Sequence, residues 1–403
     1  MIRSIIHLDL DTFFVSCERL INPKLVDKPV LIGGTSGRGV VASCSYEARR
    51  FGIHSAMPMR MARELCPEAI VIRGDSGIYS KYSEVVTDII KEQAPLYEKS
   101  SVDEFYIDMT GMDRFFGTYK WATELRETII KETGLPLSFG LSINKTVSKV
   151  STNEAKPNGY LHVPAGEEKT FLAPLSVQKI PMVGDKTALL LRDMGVEKVK
   201  TVQLMPVEML QAVLGLHGLA LWKKCQGIDS TPVVAYTERK SISIERTFEH
   251  DTIDVNKLGS ILIAMAENLA FQLRNGNKLT SCVTVKLRYA DFNTFSKQKR
   301  ISYTACDRTL IDTTKNLFKS LYEKRLLVRL IGVRYSHLVS GGHQINFLED
   351  TEELCNLYQA MDSMRIRYGQ DAVKRVVAMG SKAIGRANPF NGQPPMIPAH
   401  RRA

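Results

Sequence analysis

The sequence predicts an α+β protein of several domains. Its 403 residues exceed what one ordinary core holds. Residues 1–165 alternate strand-like and helix-like patterns, 166–236 turn helical, and a strand-rich stretch starts at 237. The formal charge of +11 and seven scattered cysteines then narrow the partners and the compartment.

The first element, residues 5–10, reads as a half-buried strand. Ile6, Leu8 and Leu10 share one face, and His7 and Asp9 share the other. A helix follows over 12–20, with Asp11 as its N-cap rather than a metal ligand. In ASCSYEARRFG, Tyr46 and Arg49 stand three apart, on one helical face where a phenol and a guanidinium can clamp phosphates. Arg50 competes for that role. The run SSVDEFYID brings Asp103 and Glu104 together. On a regular strand they would face opposite ways, so a turn at Ser100 and Ser101 is needed for both to meet one site. Three carboxylates ending two apolar runs can hold two divalent cations, the usual apparatus for moving a phosphoryl or nucleotidyl group. Either run alone reads better as a solvated acid at a strand end.

A helix is expected over 119–133, with Ala122, Leu125 and Ile129 inward and Gly134 as C-cap. A strand follows over 135–143, then a helix over 144–155 stopped by Pro157. Lys156 precedes Pro157, Asn158 and Gly159 in a turn that presents its ammonium. Short helices punctuated by Gly184, Gly195, Gly215 and Gly227 fill 166–236.

Beyond 237, strands are expected at 241–248, 282–289 and 330–336, with a helix over 255–274. Val283, Val285, Leu287 and Tyr289 alternate with Lys286 and Arg288, a pattern suited to a sheet with one packed and one cationic face. A merely solvated basic face is the rival reading. Residues 238–336 hold 18 Lys and Arg against 10 Asp and Glu, so a polyanionic partner is expected, nucleic acid before membrane. The cysteines form no C-x-x-C pair, which argues for a reducing compartment and against structural zinc. No apolar run approaches a membrane span, so a cytoplasmic protein is expected. Residues 354–377 look helical, packed through Leu357, Met361 and Met364, and 388–403 form a Pro-rich, basic tail.

HLDLDTFF, ASCSYEARRFGIHSAMP, SSVDEFYID, EAKPNG and IPMVGDKTALLLRDMG, in that order, resemble the Y-family DNA polymerases, most closely the DNA polymerase IV (DinB) branch. The resemblance spans roughly the first 340 residues. It implies a right-hand polymerase: a ferredoxin-like palm (1–11 and 77–165), small fingers (12–76), a helical thumb (166–236), an α/β little finger (237–343) and a C-terminal extension (344–403). It implies a template-directed translesion DNA polymerase, of low fidelity, working in DNA repair and damage tolerance.

By the same resemblance, Asp9, Asp103, Glu104 and the backbone carbonyl of Leu10 would hold two Mg²⁺ ions, with Glu104 essential at the catalytic step. Phe14 would be the steric gate against ribonucleotides. Ser43, Tyr46, Arg49 and Lys156 would bind the incoming nucleotide. Val183 and Gly184 would meet a DNA phosphate in a helix-hairpin-helix-like turn, with Met182 where the family has glycine. Lys286 and Arg288 would face DNA. QINFLED resembles a sliding-clamp docking peptide through Gln344, Phe347 and Leu348, with the usual Leu-Phe order reversed. The expected partners are primer-template DNA, dNTPs and the clamp, with no membrane and a monomeric chain. The alternatives are a polymerase V-type catalytic subunit, a non-catalytic DNA- or clamp-binding scaffold, and a nucleotidyl cyclase.

Overall fold

The computed structural model describes residues 2–112, 117–322, 326–341, 352–369 and 372–378. Gln344, Phe347, Leu348 and the 388–403 tail lie outside these residues. The chain divides into two compact units at Thr237 and Glu238.

In chain order the first unit contains β1 (Ile5–Leu10), α1 (Phe13–Ile21), β2 (Val30–Gly33), β3 (Val41–Cys44), α2 (Tyr46–Arg49), α3 (Met59–Leu65), β4 (Ile70–Ile72) and α4 (Ser76–Gln93). Then come β5 (Tyr97–Lys99), β6 (Glu104–Asp108), α5 (Thr118–Thr133), β7 (Leu137–Ser142), α6 (Lys145–Ala155) and β8 (Tyr160–His162). Five short helices follow: α7 (Glu168–Leu172), α8 (Asp185–Asp193), α9 (Val199–Leu204), α10 (Val207–Leu214) and α11 (Leu216–Cys225). The main sheet has the order β5-β6-β1-β7-β8, with β1 antiparallel to both neighbours. A smaller sheet, β3-β2-β4, has its own core around Leu31, Val41 and Met59.

Ile6, Leu8 and Leu10 pack against Val86 and Ile90 of α4 and against Leu125 and Ile129 of α5, as the alternation predicts. The other face of β1 is not solvated, which corrects the half-buried reading. His7 is fully buried, and its Nδ1 lies 2.9 Å from Thr152 Oγ1 on α6. The reason is how closely α6 sits on the sheet. Ser148 and Thr152 donate to the carbonyls of Ile5 and His7 (2.8 and 3.0 Å). A Cβ on Gly140 would meet Ser151 Oγ and the Ser148 carbonyl, and would lie 2.6 Å from the Thr152 amide. Only glycine permits that approach. Val147 and Val150, on the far side of α6, join a core with Leu172, Leu191, Leu210 and Leu221 from the helical segment.

The second unit contains β9 (Ser241–Thr252), α12 (Val255–Asn275), β10 (Lys278–Tyr289), β11 (Thr294–Thr304), α13 (Asp307–Leu321), β12 (Val328–Ser340) and α14 (Glu352–Tyr368). Its antiparallel sheet has the order β11-β10-β12-β9. Val283, Val285 and Leu287 face a core with Leu262, Leu269, Leu310 and Leu317. Strand β11 escapes the apolar-periodicity reading, because TFSKQKRISYT is exposed along almost its whole length. It forms as the return of a hairpin from β10, where the Tyr289 amide donates to the Asn293 carbonyl at 3.0 Å.

Helix α14 is also a correction. It ends at Tyr368, before a left-handed Gly369 (φ 95°). The expected Leu357/Met361/Met364 stripe does not dock it, since Leu357 and Met364 are exposed. Among its described side chains the buried ones are Tyr358 and Arg365. Charge decides the face: Arg274 grips Asp362 through Nε and Nη2 (2.6 and 2.9 Å) and Asp307 through Nη1 (2.6 Å). The described cysteines Cys17, Cys44, Cys66, Cys225, Cys282 and Cys306 are unpaired and buried. No helix among the described residues is long and apolar enough to cross a membrane.

Candidate active site

Strand pairing brings the acids together. In the β1–β6 register Asp9 stands opposite Glu104, and the Leu10 amide donates to the Asp103 carbonyl at 3.0 Å. The expected turn is present. The amides of Ser100 and Ser101 both donate to the Glu104 carbonyl, at 3.0 and 3.3 Å. Ser101 Oγ accepts from the Asp103 and Glu104 amides (3.3 and 3.0 Å) and donates to the Asp103 carboxylate. Asp103 thus sits just ahead of β6, freed from strand alternation.

Two lysines meet this pair. Lys149 Nζ lies 2.6 Å from both Glu104 oxygens, and Lys156 Nζ lies 2.6 Å from Asp9 Oδ1. Lys156 therefore turns inward, where the turn alone had suggested a presented ammonium. Burial pushes the Asp9 carboxyl up to about 7, against the pull of Lys156 and with help from the charges of Glu104 and Asp103. Burial also raises Asp103. Glu104 moves the other way: burial would raise it, but His7 and Lys149 outweigh that and hold it below the usual carboxylate range. Burial pushes His7 down to about 4, so it is neutral at pH 7 and Lys149 supplies the charge.

Asp11 is not an N-cap, which corrects the sequence reading. Thr12 takes that position with φ 43° and no side-chain cap bond. The Asp11 carboxylate instead accepts from the Asn158 amide (2.6 Å), Ser138 Oγ (2.9 Å) and the Tyr46 hydroxyl (3.3 Å). It ties the small sheet's α2 to the Lys156 turn. Arg49 stacks over the Tyr46 ring at 4.9 Å, as their spacing suggested. Ser43 lies on β3, and Ser45 caps α2. Phe13 is buried, while Phe14 is half-buried and stacks on Tyr79 with ring centroids 4.4 Å apart. Tyr79 donates to Glu18 at 2.6 Å. Nothing in its own sequence surroundings marks Tyr79, 65 positions from Phe14.

Residues 8–153 match the impB/mucB/samB family, residues 239–347 match that family's C-terminal domain, and residues 178–229 match a DNA polymerase-iota thumb domain. A curated DNA polymerase IV of Dehalococcoides mccartyi strain BAV1 is 38% identical over 377 residues, covering 93% of this chain and 97% of that one. The chain belongs to the Y family of DNA polymerases. A Treponema denticola DNA polymerase IV is 38% identical over 81% of this chain and 83% of its own length. Among solved structures, a Y-family polymerase chimera, Dbh-Dpo4(243-245)-Dbh, superposes with a TM-score of 0.74 at 27% identity, over 84% of this chain and all of that one. DinB from Sulfolobus solfataricus gives 0.59 at 26%, with the same coverage of both chains.

The Y-family assignment makes this a DNA-directed DNA polymerase of the translesion type. Near-complete coverage by polymerase IV relatives does not favour the polymerase V-type subunit or the scaffold. Family membership also brings a requirement for divalent metal. The donor set fits one: Asp9, Asp103 and Glu104 are hard oxygen donors whose negative charges crowd one another where two strands meet. Among the described residues no three His, Cys, Asp or Glu side chains converge as a ligand group, and Asp9 and Glu104 reach for lysines instead.

The remaining predicted contacts belong to other elements. Gly184 is the N-cap of α8, with Val183 before it. Met182 holds φ 84°, the left-handed backbone that glycine adopts freely, and is exposed. On the open face of the second unit's sheet, Lys286 pairs with both Glu245 oxygens at 3.0 Å, and Arg288 donates to Thr294 at 2.8 Å. Register adds two arginines that sequence reasoning missed: Arg300 stands opposite Cys282 and Arg334 opposite Thr284, on the same face as Lys286. Only strand pairing could have found them.

Proposed function

We propose that this Y-family polymerase extends a primer 3′ end along template DNA with dNTPs, releasing pyrophosphate, with two Mg²⁺ ions held by Asp9, Asp103, Glu104 and the Leu10 carbonyl. The observation that carries this reading is the Asp9–Glu104 cross-strand pair with Asp103 at the adjoining turn. Bound Mg²⁺ would supply charge to activate the 3′-hydroxyl and stabilise the leaving pyrophosphate. The chain's own residues do the rest. Lys156, Tyr46, Arg49 and Ser43 bind the triphosphate, with Asp11 fixing the Tyr46 hydroxyl and the Asn158 turn relative to each other. Phe14, braced by Tyr79, stands against the sugar. The Val183–Gly184 turn and the open face carrying Lys286 and Arg288 contact backbone phosphates, which fix register without reading sequence.

We also infer a cytoplasmic, monomeric chain that docks on the sliding clamp through Gln344, Phe347 and Leu348, and a domain division as palm 1–11 and 77–165, fingers 12–76, thumb 166–236 and little finger 237–343.

Primer extension on a primed template with Mg²⁺ and dNTPs, beside Glu104→Ala and Asp103→Ala, tests the core of this reading. The wild type extends and both variants lose essentially all synthesis while keeping primer-template affinity within about twofold, because the carboxylates serve chemistry and not phosphate binding. Parallel loss of DNA binding would instead mean a folding defect.

A further inference from the structure

Helix α6 carries both lysines that meet the acids. Lys149 lies at mid-helix and Lys156 is its C-cap residue, two helical turns on. The helix cannot drift, because Gly140 lets it sit against β7 and its Ser148 and Thr152 bond to β1. Lys149 covers both Glu104 oxygens at once, and Lys156 covers Asp9, which is itself 6% exposed. A buried carboxylate needs a cation. An ammonium and a divalent ion on the same carboxylate compete, because their charges repel and each weakens the other's hold.

We propose that Lys149 and Lys156 are the site's built-in counter-cations: they hold Glu104 and Asp9 in the metal-free enzyme, and divalent metal binds by exchanging with them. The inference rests on the reading that Asp9, Asp103 and Glu104 are the metal ligands, and it assigns Lys149 a positioning role. Metal entry releases Lys156 from Asp9, which frees the same ammonium for a nucleotide's phosphates. Metal and nucleotide thus favour each other through one side chain.

The test is Mn²⁺ binding to the full chain without DNA or nucleotide, read from the free-ion EPR signal, together with thermal unfolding in EDTA and in Mn²⁺. Lys149→Met should bind Mn²⁺ roughly twofold to fivefold more tightly, the range expected for removing one partly exposed charge partner. Its midpoint should fall in EDTA and recover in Mn²⁺ by more than the wild type gains. Lys149→Arg should keep wild-type affinity. If Lys149→Met is too unstable in EDTA to titrate, Lys156→Met is read the same way through Asp9. Unchanged or weaker Mn²⁺ binding in the folded Lys→Met variant overturns the exchange. Asp103→Asn and Glu104→Gln separate the two ideas: if they leave Mn²⁺ binding intact, the ligand assignment itself has failed.

Discussion

Phe14 owes its position to a neighbour far along the chain. Its ring lies nearly parallel to that of Tyr79 (18°), whose hydroxyl is in turn held by Glu18. Removing the ring should open space for a 2′-hydroxyl, so Phe14→Ala should raise ribonucleotide incorporation relative to deoxynucleotide by roughly tenfold or more. Single-nucleotide insertion kinetics with paired dNTP and rNTP check this, and unchanged sugar selectivity would remove Phe14 from the gate. Asp9 makes a separate prediction about pH. Its folded pKa near 7 lies above the ordinary value of 3.8, so the folded state binds the extra proton between those values. Its contribution to stability therefore falls as pH rises from about 4 to about 7. In EDTA, Asp9→Asn should gain thermal stability relative to wild type at pH 8 more than at pH 5. A difference independent of pH would assign the titration elsewhere.

Among the elements, α6 is held closely on two sides, by Gly140 of β7 and by its bonds to β1. Gly140→Ala should cost about 1–3 kcal/mol, the usual range for overpacking. It should also reduce primer extension, since any shift of α6 moves Lys149 and Lys156 together. Urea unfolding and extension rate measure the two effects, and normal values for both would mean that the helix can give way. Element by element, legibility follows from what each residue is held by. Strand β1, helix α5 and strand β10 could be read because their apolar period matches a face they bury, and α6 because Pro157 stops it. Strand β11 could not, because pairing rather than burial makes it a strand. Ser100 and Ser101 could be read as a turn because a regular strand would have split Asp103 from Glu104. Asp11 could not be placed: its three donors come from β7, α2 and the Lys156 turn, which only the fold gathers. The docked face of α14 was misjudged for a similar reason, since a buried arginine and an aspartate outweigh an apolar stripe there.

On the scale of the whole molecule, the excess positive charge of the second half was plain from composition, but not which cations share a face. Arg288, Arg300 and Arg334 lie on the open face of the β11-β10-β12-β9 sheet, whereas Lys286 is already matched by Glu245. Primer-template affinity should fall linearly on a log–log plot against salt. Arg300→Gln and Arg334→Gln should each reduce that slope by about 0.9 and weaken all sequences alike, as measured by fluorescence anisotropy across a salt series. Lys286→Gln should have less effect. A slope untouched by either arginine would direct attention away from this face.

The junction at Thr237 has a short rope. On one side, Arg3 donates to the carbonyls of Asp229 and Thr231 (3.3 and 2.8 Å), Val233 is buried against Ile5 and Tyr106, and the Val234 amide donates to Glu98 at 2.8 Å. On the other, Glu238 is tied to Lys278 and to Ser340. Ala235, Tyr236 and Thr237 are all that lie between these moorings. Fully stretched, that span reaches on the order of 14 Å. The chain itself leashes Glu238 within that radius of Val234. Cutting Glu98 or Arg3 away would pay out line.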